Sequence, residues 1–152
     1  MKTTTRRFEV PALVVFDTLT DIDRLPEWND AIVAVRERPR VLEQGAQWVV
    51  GFRAMGQSWD SRSTLVAHDR VTGRFAYRSQ TDDGNPSWVD WDWTVVDDTD
   101  GGCRVSASFD LHPATFWRRA LLARIRSRQL VRKELPNSLE ALAEAARHSH
   151  AK

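Results

Sequence analysis

Apolar and polar residues alternate with a period of two along the middle of the chain. Such alternation is typical of strands that bury one face of a sheet and expose the other. Turn signals at 43–45, 55–56, 72–73, 83–86 and 100–102 separate the strands, so consecutive strands should pair antiparallel. The predicted strands cover residues 3–10, 31–38, 46–54, 57–67, 73–81, 87–96 and 103–111.

The apolar period changes to a helical one between the first two strands. Ala12, Val15, Phe16 and Leu19 recur at helical spacing after Pro11, which predicts a short helix over residues 11–20. A second short helical turn should follow and stop at Pro26, because proline is a poor helix continuer.

The last third of the chain is predicted to be one long helix from Pro113 to about Arg147. Its apolar stripe contains Val131, Leu135, Leu139, Leu142 and Ala146, and Leu121 and Ile125 continue it backwards less cleanly. Pro136 lies inside this helix. A proline there removes a backbone hydrogen bond, so we expect a kink near residues 132–136 or two abutting helices.

The element order is therefore strand, two short helices, six strands and a long helix. This order predicts an α+β fold, in which a curved seven-stranded antiparallel sheet packs around the C-terminal helix. The chain has 152 residues, the size of one domain, and we expect residues 1–152 to form a single domain.

Several short motifs resemble one known family in their order and distances. They are Val10-Pro11 before a helix, Asp21 followed by Leu25-Pro26-Glu27-Trp28-Asn29, Gly101-Gly102-Cys103-Arg104-Val105, and Leu139 with Leu142. Together they resemble the SRPBCC (START-related) superfamily, in particular its polyketide cyclase/dehydrase and lipid-transport branch. The resemblance covers nearly the whole chain and implies a helix-grip fold with a cavity between sheet and helix. Cys103 and Pro136 depart from the family pattern, which commonly has threonine at the first position and a continuous helix at the second.

Aromatic side chains occupy many inward positions of the predicted sheet. They could form a tightly packed core, or they could line a pocket for a flat or lipidic ligand. The resemblance favours a cavity, and Trp28 is expected to be a structural plug after Pro26. The predicted ligand-binding residues are Trp48, Val50, Phe52, Trp59, Phe75, Tyr77, Ser79, Trp91, Trp93, Val105, Phe109, Leu121, Arg124, Ile125 and Arg128.

Tyr77, Arg124 and Arg128 are the candidate polar anchors and also the candidate catalytic residues. Tyr77 is the only tyrosine and has an inward phase, while the two arginines lie one turn apart on the last helix. The resemblance implies that ring-closing members use cavity arginines and hydroxyls, so an inward guanidinium could hold a carboxylate or an enolate. Alternatively, the arginines lie on a solvated helix face. Inward serines could add hydroxyls or be satisfied within a core; they are Ser61, Ser63 and Ser79.

The net charge of +1 conceals a strong asymmetry. Residues 116–133 contain seven cations and no acid, whereas residues 79–103 contain seven aspartates and no cation. The basic stretch could make weak contact with an anionic surface such as lipid or RNA, or it could be a solvated face that the aspartate-rich strands balance. No aromatic residues are interleaved for base stacking, and we expect no DNA binding.

No residue pattern indicates a metal or a cofactor. The histidines are scattered and share no predicted element with a carboxylate at ligand spacing. Cys103, the single cysteine, should be an inert buried thiol. We therefore predict neither metal nor cofactor. Since no apolar stretch approaches a membrane span or a signal sequence, we expect a cytoplasmic protein.

Three functions remain open at this stage. The first is a carrier or sensor that binds a small hydrophobic or aromatic molecule in the cavity. The second is a cofactor-free polyketide aromatase/cyclase or dehydratase. The third is a module that docks on RNA or an anionic membrane through the basic helix. Each is compatible with a monomer or a homodimer.

Overall fold

Seven antiparallel strands form one sheet in the order β1-β7-β6-β5-β4-β3-β2. The computed structural model describes residues 1–54, 56–82, 87–113 and 124–151. β1 pairs with β7 at one edge of the sheet, and β2 to β7 form a continuous meander that places β2 at the other edge. The strands are β1 Lys2–Phe8, β2 Ile32–Glu37, β3 Gln47–Ala54, β4 Gln57–Asp69, β5 Arg74–Thr81, β6 Trp88–Asp97 and β7 Cys103–His112.

The alternation of the sequence sets which side chains face inward. In the centre of the sheet Tyr77 pairs with Trp91, and Trp91 pairs with Phe109, so aromatic rings from β5, β6 and β7 share the concave face. The register shifts between Leu65 and Ala67 on β4 and at two points between β2 and β3. Such irregularities bend and twist a strand pair, which helps the sheet curve around the helix.

Gly73 connects β4 and β5 at a position that only glycine fits. Its φ is +73°, and an added Cβ would lie 2.0 Å from the carbonyl oxygen of Val95. The close approach also lets Val95 N–H donate to the Gly73 carbonyl at 2.8 Å. The predicted turn at 72–73 is therefore confirmed, whereas the turn predicted at 83–86 and the residue Met55 lie outside the described residues.

Two short helices follow β1, as predicted. Helix α1 spans Ala12–Leu19, a 3₁₀ turn spans Ile22–Arg24, and helix α2 spans Leu25–Trp28. Pro26 does not stop this segment but lies in the first turn of α2, which corrects the sequence prediction. A proline is tolerated there because the first N–H groups of a helix have no partner within it.

The C-terminal helix has a defect directly before Pro136. Residues 124–129 are α-helical, Leu130–Glu134 form a π turn, and helix α3 spans Leu135–Ala151. The expected irregularity near residues 132–136 thus takes the form of a π turn. The helix runs to Ala151, four residues beyond the predicted Arg147, and residues 114–123 of the helix predicted from Pro113 lie outside the described residues.

The two halves of this helix have different surroundings. Helices α1 and α2 pack against α3, and the buried residues Phe16, Leu19, Leu139 and Leu142 lie in this closed end of the core. Six residues between 125 and 138 instead line an open space beside the sheet, namely Ile125, Arg126, Leu130, Glu134, Leu135 and Ser138. The predicted helix-grip architecture is confirmed. Among the described helices, none is both long and apolar enough to cross a membrane.

Candidate ligand-binding site

A cavity of about 640 Å³ lies between the concave face of the sheet and the first half of the C-terminal helix. Strands β3 to β6 supply most of its wall, α2 supplies Leu25 and Trp28, and the helix supplies residues between 125 and 138. The buried core is continuous with this wall: it includes the wall residues Trp48, Phe75 and Trp93 and extends to residues of α1, β7 and α3.

Aromatic rings in mutual contact form the wall of this cavity. The Phe52 and Trp59 rings stack at 5.5 Å between centroids, and Trp91 and Trp93 stack at 6.2 Å. Trp48 meets the edge of the Tyr77 ring at 5.3 Å. These contacts hold the rings in fixed orientations. The predicted residues that line the cavity are Trp48, Val50, Phe52, Trp59, Phe75, Tyr77, Ser79, Trp91, Trp93 and Ile125.

Two predicted ligand-binding residues, Val105 and Phe109, are core residues instead. Their exposed fractions are 0% and 1%, and neither lines the cavity. Phe109 packs behind Trp91, with ring centroids 5.4 Å apart. Both side chains have the predicted inward phase, but they lie in the buried core cluster, and the residues of β7 that line the cavity are Leu111 and His112. The prediction that they line the pocket is therefore wrong, and Leu121 lies outside the described residues.

The Tyr77 hydroxyl is the central polar group of the aromatic wall. Trp93 Nε1 donates a hydrogen bond to it at 3.3 Å, and no described residue accepts its own proton. Burial raises the pKa of Tyr77 to about 12, so the group stays a neutral hydrogen-bond donor near pH 7. A tyrosine in this state can orient a carbonyl oxygen, but it is a poor general base.

Serine hydroxyls lie beside Tyr77 on strands β4 and β5. Ser63 and Ser79 are cross-strand partners with their hydroxyl oxygens 2.6 Å apart. Ser61 is only 4% exposed, lines the cavity and has no hydrogen-bond partner among the described residues. The wall therefore carries one satisfied hydroxyl pair and one hydroxyl that is open to a ligand.

The arginines of the helix differ from the prediction. Arg124 and Arg128 are exposed, and neither lines the cavity, so the prediction that their guanidinium groups enter it is wrong. Arg126 enters instead and forms an ion pair with Glu134, and both residues line the cavity. The prediction extended the apolar stripe of α3 backwards with a uniform period, which the π turn breaks.

Trp28 forms one boundary of the cavity and is 2% exposed. Its ring meets the edge of Trp93 at 5.6 Å, as a plug between α2 and the sheet would. The Nε1 atom is buried without a hydrogen-bond partner among the described residues. An unpaired buried donor is costly, so burial of the large ring must offset that cost here.

A cluster of aromatic and charged side chains at the edge of the cavity was not predicted from the sequence. His112 stacks on Trp88 at 4.8 Å, and its Nε2 lies 3.2 Å from Asp90. Arg78 covers the same tryptophan ring at 4.8 Å and bonds Asp90 at 2.7 Å. The alternation places these residues on the outer face of the sheet. Trp88 and His112 nevertheless border the cavity, because β6 begins at Trp88 and β7 ends at His112.

Described aspartates of the acidic strands pair with arginines of the sheet. Asp92 pairs with Arg74 at 3.0 Å and Asp90 with Arg78, both across the outer face of the sheet. On the helix, four cations are exposed and have no ion pair with any described residue: Arg124, Arg128, Arg132 and Lys133. Among the described residues, the aspartates that form these pairs therefore neutralise arginines of the sheet and not the cations of the helix.

Cys103 is buried, and its pKa is raised to about 11, chiefly by burial and then by Asp97 and Asp98. The predicted burial of this thiol is confirmed, and the raised pKa favours its protonated form near pH 7. In the parts of the chain that the structure describes, no three histidine, cysteine or acidic side chains are grouped as metal ligands would be.

The comparison with known structures shows the same fold in proteins of low identity. TTHA0849 from Thermus thermophilus matches with a TM-score of 0.73 and 16% identity over 97% of both chains. The Zhui aromatase/cyclase from Streptomyces sp. R1128 matches with a TM-score of 0.74 and 17% identity, over 97% of this chain and 93% of that one. The di-domain aromatase/cyclase StfQ of the steffimycin biosynthetic pathway matches with a TM-score of 0.70 and 19% identity, over 99% of this chain and 46% of its own.

The comparison with curated proteins found no match. The sequence profile of one family, described as polyketide cyclase/dehydrase and lipid transport, matches residues 2–147. This match spans nearly the whole chain and agrees with the element order, the helix-grip sheet and the cavity. The resemblance to the SRPBCC superfamily is thereby confirmed, and the chain belongs to the polyketide cyclase/dehydrase and lipid transport family.

Proposed function

We propose that the protein binds a small, largely apolar molecule in its cavity and acts as a carrier or a sensor of that molecule. The observation that carries the proposal is the aromatic-walled cavity of about 640 Å³. Small-molecule sites usually have volumes of roughly 300–1,000 Å³ and a mostly apolar lining with a few placed polar groups. Family membership supports the same function, since the family description includes lipid transport.

The ring geometry favours a flat ligand. Trp91 and Trp93 present stacked faces, and Phe52 and Trp59 form a second stacked pair. A flat molecule inserted along these rings would gain offset-stacked contacts in addition to the burial of its apolar surface. Tyr77 would donate one hydrogen bond to an oxygen of the ligand and thereby fix its orientation in the pocket.

Titration with a neutral aromatic probe tests this proposal. Methylanthracene should quench the fluorescence of the cavity tryptophans in a saturable manner, and Trp91→Leu should weaken its binding. Val66→Ala is the matched control, because Val66 is 50% exposed and does not line the cavity. Absence of saturable binding, together with the absence of any co-purified small molecule in native mass spectrometry, would overturn the proposal.

The second candidate function is a cofactor-free aromatase/cyclase or dehydratase. It is favoured by polar groups within the apolar lining, namely Tyr77, Arg126 and Glu134. Tyr77 would polarise a ketone, while the ion pair would help move a proton during ring closure and loss of water. The test is turnover of a polyketone chain, followed by mass spectrometry for the dehydrated cyclic product. Tyr77→Phe should lower turnover more than binding, and unchanged turnover would argue against this candidate.

A further inference from the structure

The ion pair between Arg126 and Glu134 is the only one among the described residues whose two members both line the cavity. Their side chains are 19% and 17% exposed, well below the exposure of most ion pairs of this chain. The pair is joined by a single contact from Nη1 of Arg126 to Oε2 of Glu134. Further guanidinium N–H groups and the Oε1 atom of Glu134 have no partner among the described residues.

A third polar group follows on the same helix face. Ser138 lies four residues after Glu134, is 7% exposed and lines the cavity. Its hydroxyl has no hydrogen-bond partner among the described residues. Three neighbouring helix positions therefore present unused donors and acceptors to an otherwise apolar space.

The π turn explains how Arg126 reaches Glu134. In a regular α-helix two residues eight positions apart point about 80° away from each other. The additional residue of a π turn absorbs about 100° of that rotation, which leaves the two side chains about 20° apart. The Leu135 N–H accordingly bonds the Leu130 carbonyl, five residues back.

Pro136 accounts for the position of this π turn. It has no N–H for the carbonyl of Arg132, and its ring would crowd that oxygen in a regular helix. Widening of the preceding turn relieves the clash. Pro136 thus favours the π turn that brings Arg126 and Glu134 together in the cavity wall.

We propose that Arg126, Glu134 and Ser138 form a subsite for a neutral polar head group that both accepts and donates hydrogen bonds, such as a carboxamide or a hydroxyl-bearing carbonyl. This inference rests on the proposed binding function and names the chemistry of one end of the ligand. The head group accepts from Arg126 and donates to Oε1 of Glu134. Its apolar body lies along the tryptophans.

Charge selects against ionised head groups. A carboxylate would place two anions beside one cation, and an amine would place two cations beside one anion. Like charges interact strongly in a poorly solvated space, so both should bind more weakly than a neutral group that satisfies donor and acceptor together. A hydrocarbon would leave the existing groups unpaired and gain nothing from them.

Four anthracenes with the same ring system test the subsite: the carboxamide, the carboxylate, the aminomethyl and the methyl derivatives. The native protein should bind the carboxamide about tenfold more tightly than the methyl derivative, with the two ions weaker than the carboxamide. Glu134→Gln should move the preference to the carboxylate, because Arg126 is then uncompensated. Arg126→Met should move it to the amine. Arg124→Met removes the same charge from the exposed side of the helix and should leave the order unchanged.

The outcomes separate the subsite from the proposed function. Equal binding of all four probes, or an order that neither substitution changes, would overturn the subsite while the cavity remained a binding site. Failure of every probe to bind would overturn the proposed function itself. If either single variant unfolds, Arg126→Met combined with Glu134→Leu removes both charges together. That variant should bind the carboxamide and the methyl derivative equally, and a retained carboxamide preference would overturn the subsite.

Discussion

The indole N–H of Trp93 donates a hydrogen bond to the Tyr77 hydroxyl at 3.3 Å across adjacent strands β5 and β6. Trp93 is 2% exposed, so this hydroxyl is the partner that satisfies its buried donor. The sequence indicates that Tyr77 faces inward, but it does not indicate that the hydroxyl is already engaged. The Tyr77 hydroxyl therefore accepts a hydrogen bond from a buried donor, while its side chain also lines the cavity.

Tyr77→Phe should lower the free energy of unfolding by about 1–3 kcal/mol, because it leaves the buried indole N–H unpaired. Trp93→Phe alone should lose the larger ring as well, while the double variant should lose less than the sum of the two. Urea titration of the four proteins measures the coupling, and strict additivity would contradict the hydrogen bond.

Alkaline pH should destabilise the fold through the same residue. The pKa of Tyr77 is about 12 in the fold against an ordinary value of 10.0. A raised pKa means that the folded state favours the neutral phenol, so its contribution is complete below pH 10. It is lost as the pH rises through about 12, and it amounts to something on the order of 2 kcal/mol.

Tyrosinate absorbance reports the ionisation of Tyr77 alone, because Tyr77 is the only tyrosine. Ultraviolet absorbance of tyrosinate, followed against pH in the folded protein and in denaturant, should give two separate midpoints. Cys103 also has a raised pKa and contributes to stability in a neighbouring window, so Cys103→Ala serves as the background for the stability titration. Coincident midpoints in the folded and denatured protein would contradict the burial of this hydroxyl.

Trp91→Ala and Phe109→Ala form a matched pair on neighbouring strands. Phe109 is 1% exposed in the closed core, and its truncation should cost about 3–5 kcal/mol. Trp91 is only partly buried and borders the cavity, so its truncation should cost clearly less while it weakens ligand binding. Denaturant titration measures the loss of stability in both variants, and probe titration measures the loss of binding. Equal losses of stability would mean that the cavity wall is as tightly packed as the core.

The strand pattern predicts most of the cavity wall but not its extent. Period-two alternation places Trp48, Tyr77 and Phe109 on one face, and the structure has all three there. The alternation cannot show that Phe109 lies in the core whereas Tyr77 lines the cavity. These two positions differ in what faces them across the concave side of the sheet, and the strand pattern does not contain that information. That difference depends on where α1 and α3 fill the concave face, which is a tertiary property.

The polar site on the helix could be predicted only in part. A uniform helical period through Leu135 places Arg124 and Arg128 near the apolar stripe, whereas the π turn rotates Arg126 into the cavity. Two signals were present in the sequence, namely Pro136 and the poor continuity of the stripe at Leu121 and Ile125. They indicate an irregular helix, but not which turn widens or by how much.

Pro136→Ala tests whether the proline causes the π turn. The substituted residue supplies an N–H to the Arg132 carbonyl and removes the ring that crowds it, so the regular α-helix should become the more stable form. Residues 124–129 should then rotate by about 100° relative to α3, because the extra residue in the widened turn is lost. Arg126 would leave the cavity wall, and the stripe predicted from a uniform period would face it instead.

The readout is the selectivity of the anthracene series. Pro136→Ala should lose the carboxamide preference while it still binds methylanthracene, since the aromatic wall of β3 to β6 is untouched. Asn137→Ala is the matched control, because the neighbouring residue is exposed and its backbone N–H is already present. A crystal structure of Pro136→Ala that retains the Leu135 N–H to Leu130 carbonyl bond would show that other contacts hold the π turn. In that case the carboxamide preference should also persist, which ties the selectivity to the turn and not to the proline.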